Sequence, residues 1–256
     1  MESTVYMEDL DAFTYRKKLT EENPIVFVPV GAFEQHGPHM PMCVDAALTK
    51  AMAGAVAEKI DGLVAAPIVY GYKSQQRSGG GFHLTGTTSM SGSTLISIVK
   101  DITCELAYHG VHKIVFMNGH FENYQFIFEG VDKALRELRG AGKEDVKVML
   151  MSYWDFIDDE TIERLYPEGF TGWDLEHAGV METSLMLLFQ PEKVHMDKVV
   201  VEPPAVMPNY DILPINPDYT PASGCLSCAV TATREKGEIL RDVSVKNMVE
   251  AVSHEF

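Results

Sequence analysis

Two short motifs, Glu34-Gln35-His36 and His120-Phe121-Glu122, each set one imidazole and one carboxylate two residues apart, and Asp45 adds another carboxylate. Imidazole and carboxylate are the donors that hold Mn, Zn, Co or Fe. In an extended segment, side chains two apart share a side, so each motif can present an N and an O donor together. Asp45 is then free to bridge two divalent ions ~3.5–4 Å apart, with a water or hydroxide between them. Glu34, His36, Asp45, His120 and Glu122 are therefore the expected metal ligands, and the expected chemistry is hydrolysis. A lone Glu-x-His is common and is often no more than a strand end with a solvated turn; the elements around these two give them weight.

Residues 23–31 form an apolar run that stops at Gly31, just before Glu34, and residues 112–119 form another that stops just before His120. Continuous apolar runs of this kind read as buried parallel strands. In open α/β sheets, ligands bind beyond the carboxyl ends of the strands. Further strands are expected over 63–68 and 146–152. Helices are expected from Asp45, over about 91–108 (apolar at Leu95, Ile98, Val99, Ile102 and Leu106), 122–139 and 179–189, and from about Val243. The alternation predicts a three-layer α/β/α fold with a mostly parallel sheet, the metal site at the strands' carboxyl ends, and one domain over 1–256. Residues 70–81 are too glycine-rich and polar for regular structure. Residues 202–224, with Pro203, Pro204, Pro208, Pro214, Pro217 and Pro221, read as an extended surface crossing.

With 46% hydrophobic and 23% charged residues in 256, the composition is that of an ordinary globular protein with a full core. The formal net charge of −16 argues against nucleic acid or an anionic membrane as the main partner, because phosphate binding needs clustered Lys and Arg. No run of about 18 apolar residues suggests a membrane span, and the acidic start, Met1 to Asp9, lacks a hydrophobic signal region. The cytoplasm is the expected compartment.

Trp173-Asp174-Leu175-Glu176-His177 is a third cluster. A histidine beyond those needed as ligands suits acid–base work, its unperturbed pKa lying near neutrality. Equally, His177 can cap the following helix or pair with Glu182. Trp154 and Trp173, the two tryptophans, fall in irregular segments, where they either fill core or wall a small planar ligand. Gly79-Gly80-Gly81 after Ser78 fits neither a Walker nor a dinucleotide loop; it more plausibly lets backbone approach a ligand or a neighbouring subunit. His39 and His83 read as supporting or surface residues, and His109, His112, His195 and His254 stand alone. Cys43 can line the metal pocket or be a small buried thiol. Cys225 and Cys228 form a CxxC with no partner motif, so two reduced thiols in a loop is the reading.

Together these residues resemble the creatininase (creatinine amidohydrolase) family. The carriers are Gly31–Met40 with Asp45, Tyr70–Gln76, Ser78–Gly81, Met117–Asn123, Ser152–Asp155 and Gly172–His177, which span nearly the whole chain. The resemblance implies a binuclear centre of Mn and Zn type. One ion would take Glu34, Asp45 and His120; the other would take His36, Asp45 and Glu122. The implied reaction is reversible hydrolysis of the cyclic amide of creatinine to creatine by a metal-bridging water, with the metals polarising the ring carbonyl. Glu122 would help deprotonate the water and His177 would protonate the leaving ring nitrogen. Ser78, Phe121, Trp173, Asp174 and Glu176 would contact substrate, and Trp154 would act as a moving lid. A carboxylate at Glu176 also suits the planar donor array of a guanidinium-like ligand on physical grounds. A homo-hexamer is the implied assembly.

One position departs from the family. Creatininases typically carry tyrosine where this chain has Phe121, so the apolar wall is kept and a hydroxyl is lost. Two other readings stand beside creatinine hydrolysis: a creatininase-like amidohydrolase acting on another small amide, formamide or peptide end, and a non-catalytic metal or ligand-binding protein.

Overall fold

The computed structural model describes residues 4–256; the first three residues of the acidic N-terminal stretch lie outside the described residues. Four parallel strands, β1 (Ile25–Val30), β2 (Leu63–Val64), β3 (Lys113–Asn118) and β4 (Lys147–Ser152), form one sheet in the order β2-β1-β3-β4. β1 and β3 pair in register from Ile25–Lys113 to Val30–Asn118, so both apolar runs end at the same level. The helices are α1 (Ala12–Glu22), α2 (Val44–Ala57), α3 (Gln76–Gly79), α4 (Gly92–Tyr108), α5 (Tyr124–Gly140), α6 (Asp159–Leu165), α7 (Val180–Phe189) and α8 (Arg234–Glu255).

The strand period of two sorts the core into two layers. Val26, Val28, Ile114 and Phe116 pack with Leu95 and Val99 of α4 and Ile127 of α5. Phe27, Val115, Met117 and Met151 face the other way, onto Leu48 and Met52 of α2, Leu185 of α7 and Met248 of α8. Each such fully buried side chain contributes roughly 1.5–3 kcal/mol, so these two cores hold the sheet rigid beneath the site. The arrangement is the expected three-layer α/β/α fold.

The local departures have physical causes. The second strand covers only Leu63–Val64; the Ala65 amide still donates to the Phe27 carbonyl (2.8 Å), Pro67 cannot donate to the ladder, and pairing with β1 resumes at Ile68. α1 carries only a short apolar stripe, Tyr15 and Leu19, partly buried against the core, and has no fully buried residue; Asp11 starts it by accepting from the amides of Phe13 and Thr14. α8 begins nine residues before the expected Val243, capped by Thr233, in a charged stretch with a glycine at 237. Within the polar stretch at 70–81 a single helical turn, α3, forms.

Candidate metal centre and cleft

β1 ends into the loop carrying Glu34 and His36, β3 ends into His120 and Glu122, and Asp45 lies in the first turn of α2. All five are buried. α2 is seated directly on the end of β1: a Cβ on Gly31 would collide with the backbone of Ala46. Two asparagines tie the loops together. Asn123 donates to the Gly31 carbonyl (3.0 Å) and accepts from the Tyr72 amide (2.8 Å), while Asn118 accepts from the His120 amide (3.2 Å). Sequence reasoning passed over both asparagines; each is fully buried, and a buried amide side chain must find partners.

The two motifs do not pair their donors by simple i, i+2 strand geometry. His120 precedes a 3-10 turn (Phe121–Asn123), so His120 and Glu122 are not on an extended segment, and Glu34 and His36 go to different neighbours. His120 Nδ1 lies 3.1 Å from both Glu34 Oε2 and Asp45 Oδ2. His36 Nε2 lies 2.9 Å from Asp45 Oδ1. Glu34, Asp45 and His120 thus form one group of donors within 4.8 Å of one another, and His36, Asp45 and Glu182 form a second sharing Asp45. Glu34, His36 and His177 also come that close. Glu122 meets this set only through His120 Nε2, at 3.2 Å. Its Oε1 accepts from the Gln75 amide (2.7 Å) and the Ser78 hydroxyl (2.6 Å).

The donor set fits cations. Carbonyl oxygens can only accept, so His36 Nδ1 donates to Glu34 O (3.1 Å) and His120 Nε2 donates to Tyr72 O (3.1 Å). Each neutral ring then turns its bare nitrogen toward carboxylates, the backbone-oriented arrangement of metal-ligating histidines. Glu34 Oε1 is buried with no hydrogen-bond partner, and His36 Nε2 and Asp45 Oδ2, though 2.9 Å from Asp45 Oδ1 and 3.1 Å from His120 Nδ1 respectively, make no hydrogen bond of proper angle. Unpartnered lone pairs packed against one another inside a protein are costly unless a cation lies among them.

The protonation tendencies reflect the same crowding. Burial pushes Glu34 up to about 6, against the opposing pull of His120. Burial also works against ionised Asp45, but the His36 and His120 rings overcome it and hold that carboxyl well below its usual range. Both rings are raised in spite of burial, His36 by Asp45 and Glu182, His120 by Glu122 and Glu34.

Above the cluster opens a cleft lined by Ser78, Phe121, Trp154, Trp173, Glu176, His177 and Glu182 besides the ligands. Phe121 (51% exposed) and Trp173 (37%) stand at its rim, and Trp154 packs edge-on against Tyr153, centroids 5.1 Å apart. Asp174 is exposed and does not line it. His177 is buried; its Nε2 lies 3.0 Å from the Gln35 carbonyl, and its ring stacks 4.4 Å from that of His36. It does not pair with Glu182. Burial, and then the positive tendency of His36, drive its pKa well below the ordinary value. Glu176 is buried, accepts from the Met181 amide, and is pushed up to about 7 by burial.

The remaining expectations resolve simply. Gly79 packs against Glu34 and Ser74, where a Cβ would collide with both, so glycine there lets backbone approach the cluster. His39 is buried behind it, Nε2 3.0 Å from the Thr183 hydroxyl. Cys43 does not line the cleft, and all four cysteines are free thiols, Cys225 and Cys228 in a loop.

Fold and site together define an α/β protein with a buried carboxylate–imidazole centre of metal-binding type at the carboxyl ends of its strands. Comparison with known proteins narrows this. The family model for creatininase, described as creatinine amidohydrolase, matches residues 8–252. Creatinine amidohydrolase of Pseudomonas putida is 52% identical over 257 residues, covering 100% of this chain and 99% of that one. The solved structure "Creatininase Mn" superposes with a TM-score of 0.97 at 52% identity, over 99% of each chain. "E122Q mutant creatininase complexed with creatine" superposes at 0.95 and 51% identity, over 99% of each chain. The chain belongs to the creatininase family.

Proposed function

We propose that this protein hydrolyses the cyclic amide of creatinine to creatine, reversibly, at a binuclear metal centre within a single domain spanning 1–256. The observation that carries the reading is the shared-Asp45 pair of donor groups, with bare buried donor atoms, at the base of a cleft walled by Phe121, Trp154 and Trp173. Identity of 52% along the full length of a creatinine amidohydrolase supports the substrate. Glu34, His36, Asp45, His120 and Glu122 are the proposed ligands, and manganese and zinc the proposed metals. Bound there, two divalent ions lower the pKa of water and polarise a carbonyl oxygen.

The chain's own residues do the rest. Glu122, with Oε1 fixed by Gln75 and Ser78, keeps Oε2 to accept a proton from the attacking water. His177, buried at the cleft with its ring stacked 4.4 Å from that of His36, is the proposed group that hands a proton to the leaving ring nitrogen. Glu176 accepts hydrogen bonds from the guanidinium-like end of the substrate, Trp173 and Phe121 stack on its plane, and Trp154 closes over it. Ser78 completes the contacts within the cleft, and Asp174, which lies outside its lining, is proposed to reach substrate only with movement of the Trp173 segment. The assembly proposed is a homo-hexamer in the cytoplasm; among the described residues no helix is long and apolar enough to cross a membrane.

The test is creatine formation from creatinine by purified protein, metal-stripped and then reconstituted with Mn and Zn. Metal-dependent turnover is the expected result; a fully metallated protein without turnover refutes the substrate. Phe121 favours the second reading in that case, an amidohydrolase of another small amide, because its half-exposed ring meets the substrate without a hydroxyl.

A further inference from the structure

Gln35 lies between Glu34 and His36 in the chain, yet its amide serves other partners. Oε1 accepts from the Gly37 amide (3.0 Å) and Nε2 donates to the Gly224 carbonyl (2.9 Å). A backbone N–H only donates and a carbonyl only accepts, so these two bonds fix which end of the Gln35 amide is oxygen. Its Nε2 then lies 3.2 Å from His177 Nε2, and the Gln35 backbone carbonyl lies 3.0 Å from the same ring atom. One residue thus offers His177 Nε2 an acceptor when that nitrogen carries a proton and a donor when it is bare. Nδ1 makes no hydrogen bond to the described residues, so it is the ring atom left for a molecule in the cleft that His177 lines.

The chain beyond the proline-rich crossing backs this arrangement. Gly224 has φ 79°, and a Cβ there would collide with the Gln35 amide, so the loop is seated directly on that group. Two residues on, the amide of the fully buried Leu226 donates to the His177 carbonyl (3.1 Å). Upstream, the Thr220 hydroxyl donates to the Gly80 carbonyl (2.7 Å) and fastens the same segment to the cleft's glycine loop. His177 is therefore gripped twice by one strap, directly through its main chain and indirectly through Gln35.

We propose that Gln35 is a positioning residue for His177: its amide, seated against Gly224, holds the ring in one orientation with Nδ1 toward substrate. The assignment rests on the role given to His177 above. Gln35 does not itself line the cleft, so it acts through the ring.

The experiment is steady-state kinetics on creatinine with metal-reconstituted wild type, Gln35→Met, His177→Ala and the double variant, with metal content measured in each. Methionine keeps the reach of the side chain and removes both of its amide contacts. The expected result is a kcat roughly 10–100-fold lower in Gln35→Met, the scale of a reacting group misplaced by about 1 Å, with KM and metal content as in wild type. Because Gln35 works through the imidazole, its substitution costs nothing further once the imidazole is gone, and the double variant matches His177→Ala. Gly224→Ala, which leaves Gln35 in place but drives a methyl group into its amide, gives the same pattern if methionine prevents folding. Wild-type kcat in Gln35→Met, losses that multiply in the double variant, or a loss that tracks metal content overturn the assignment. Crystals of zinc-loaded Gln35→Met carry the test without substrate: a rotated or multiply placed His177 ring is expected, and a ring in its wild-type orientation overturns the assignment. Wild type that turns over no creatinine, with the ring displaced in the variant, refutes the substrate and leaves the positioning intact.

Discussion

Glu176 is a carboxyl that folding works against. Its pKa moves from 4.5 to about 7, because burial outweighs the hydrogen bond from the Met181 amide. At about 1.4 kcal/mol per unit, the ionised folded state is penalised by about 3 kcal/mol. The folded-state value is the higher one, so the penalty is negligible below about pH 4.5, grows between 4.5 and 7, and is complete above 7. Glu176→Gln removes the titration and keeps both the shape and an oxygen for Met181. In metal-free protein, where only the chain's own charges act, the variant should gain on wild type by under about 1 kcal/mol at pH 5 and about 3 kcal/mol at pH 8. For a chain of this size that is about 6–12 °C in Tm at the alkaline end. Paired thermal melts at pH 5, 6, 7 and 8 measure the difference directly, since shifts common to both proteins cancel. A gap that stays constant with pH, or a variant less stable at pH 8, refutes the reasoning. Creatinine turnover should fall as stability rises, the trade expected where a strained charge is retained for its use.

Phe121→Tyr restores a hydroxyl at the rim of the cleft; one neutral hydrogen bond is worth about 0.5–1.5 kcal/mol, so KM for creatinine should fall roughly 2- to 10-fold, and an unchanged or higher KM contradicts the role given to this position. His177→Ala should bind metal as wild type does and lose kcat by roughly 10²–10⁴-fold; normal turnover would remove it from the chemistry. Asp45→Ala should release both ions while Glu34→Ala weakens one, and elemental analysis showing two full equivalents in the Asp45 variant would refute the shared position.

Three strands were legible because their apolar runs are uninterrupted, and their common end level follows from parallel register. The ligand motifs could be read because they sit immediately past those ends. What stayed hidden was what the pattern does not encode. α1 is held by a cap and only two core-facing residues, Tyr15 and Leu19, and the first turns of α8 are charged on the outside. Spacing alone placed Glu34 with His36, while the family resemblance placed Glu34 with His120 and His36 with Asp45, as the turn at Phe121–Asn123 and the seat of α2 do; the member that was missed is Glu182, which stands where Glu122 was expected. Glu182 did carry a signal, a lone carboxylate in an otherwise apolar helix, and that signal means a buried partner.

The two walls of the cleft differ in how they are made. The inner wall is set by close main-chain approach: Gly31 meets the backbone at the start of α2, and Gly79 brings its loop against the Ser74 and Glu34 side chains with no space for a methyl group. The outer wall is three large rings, Phe121, Trp154 and Trp173, standing partly in solvent. Heritable variation therefore has two very different rates open to it. At the glycines nearly every exchange abolishes the centre at once, while at the rings most exchanges leave it intact and alter only what it admits. A lineage built this way drifts in substrate far more easily than in chemistry, and a mutant library aimed at new amides belongs at positions 121, 154 and 173.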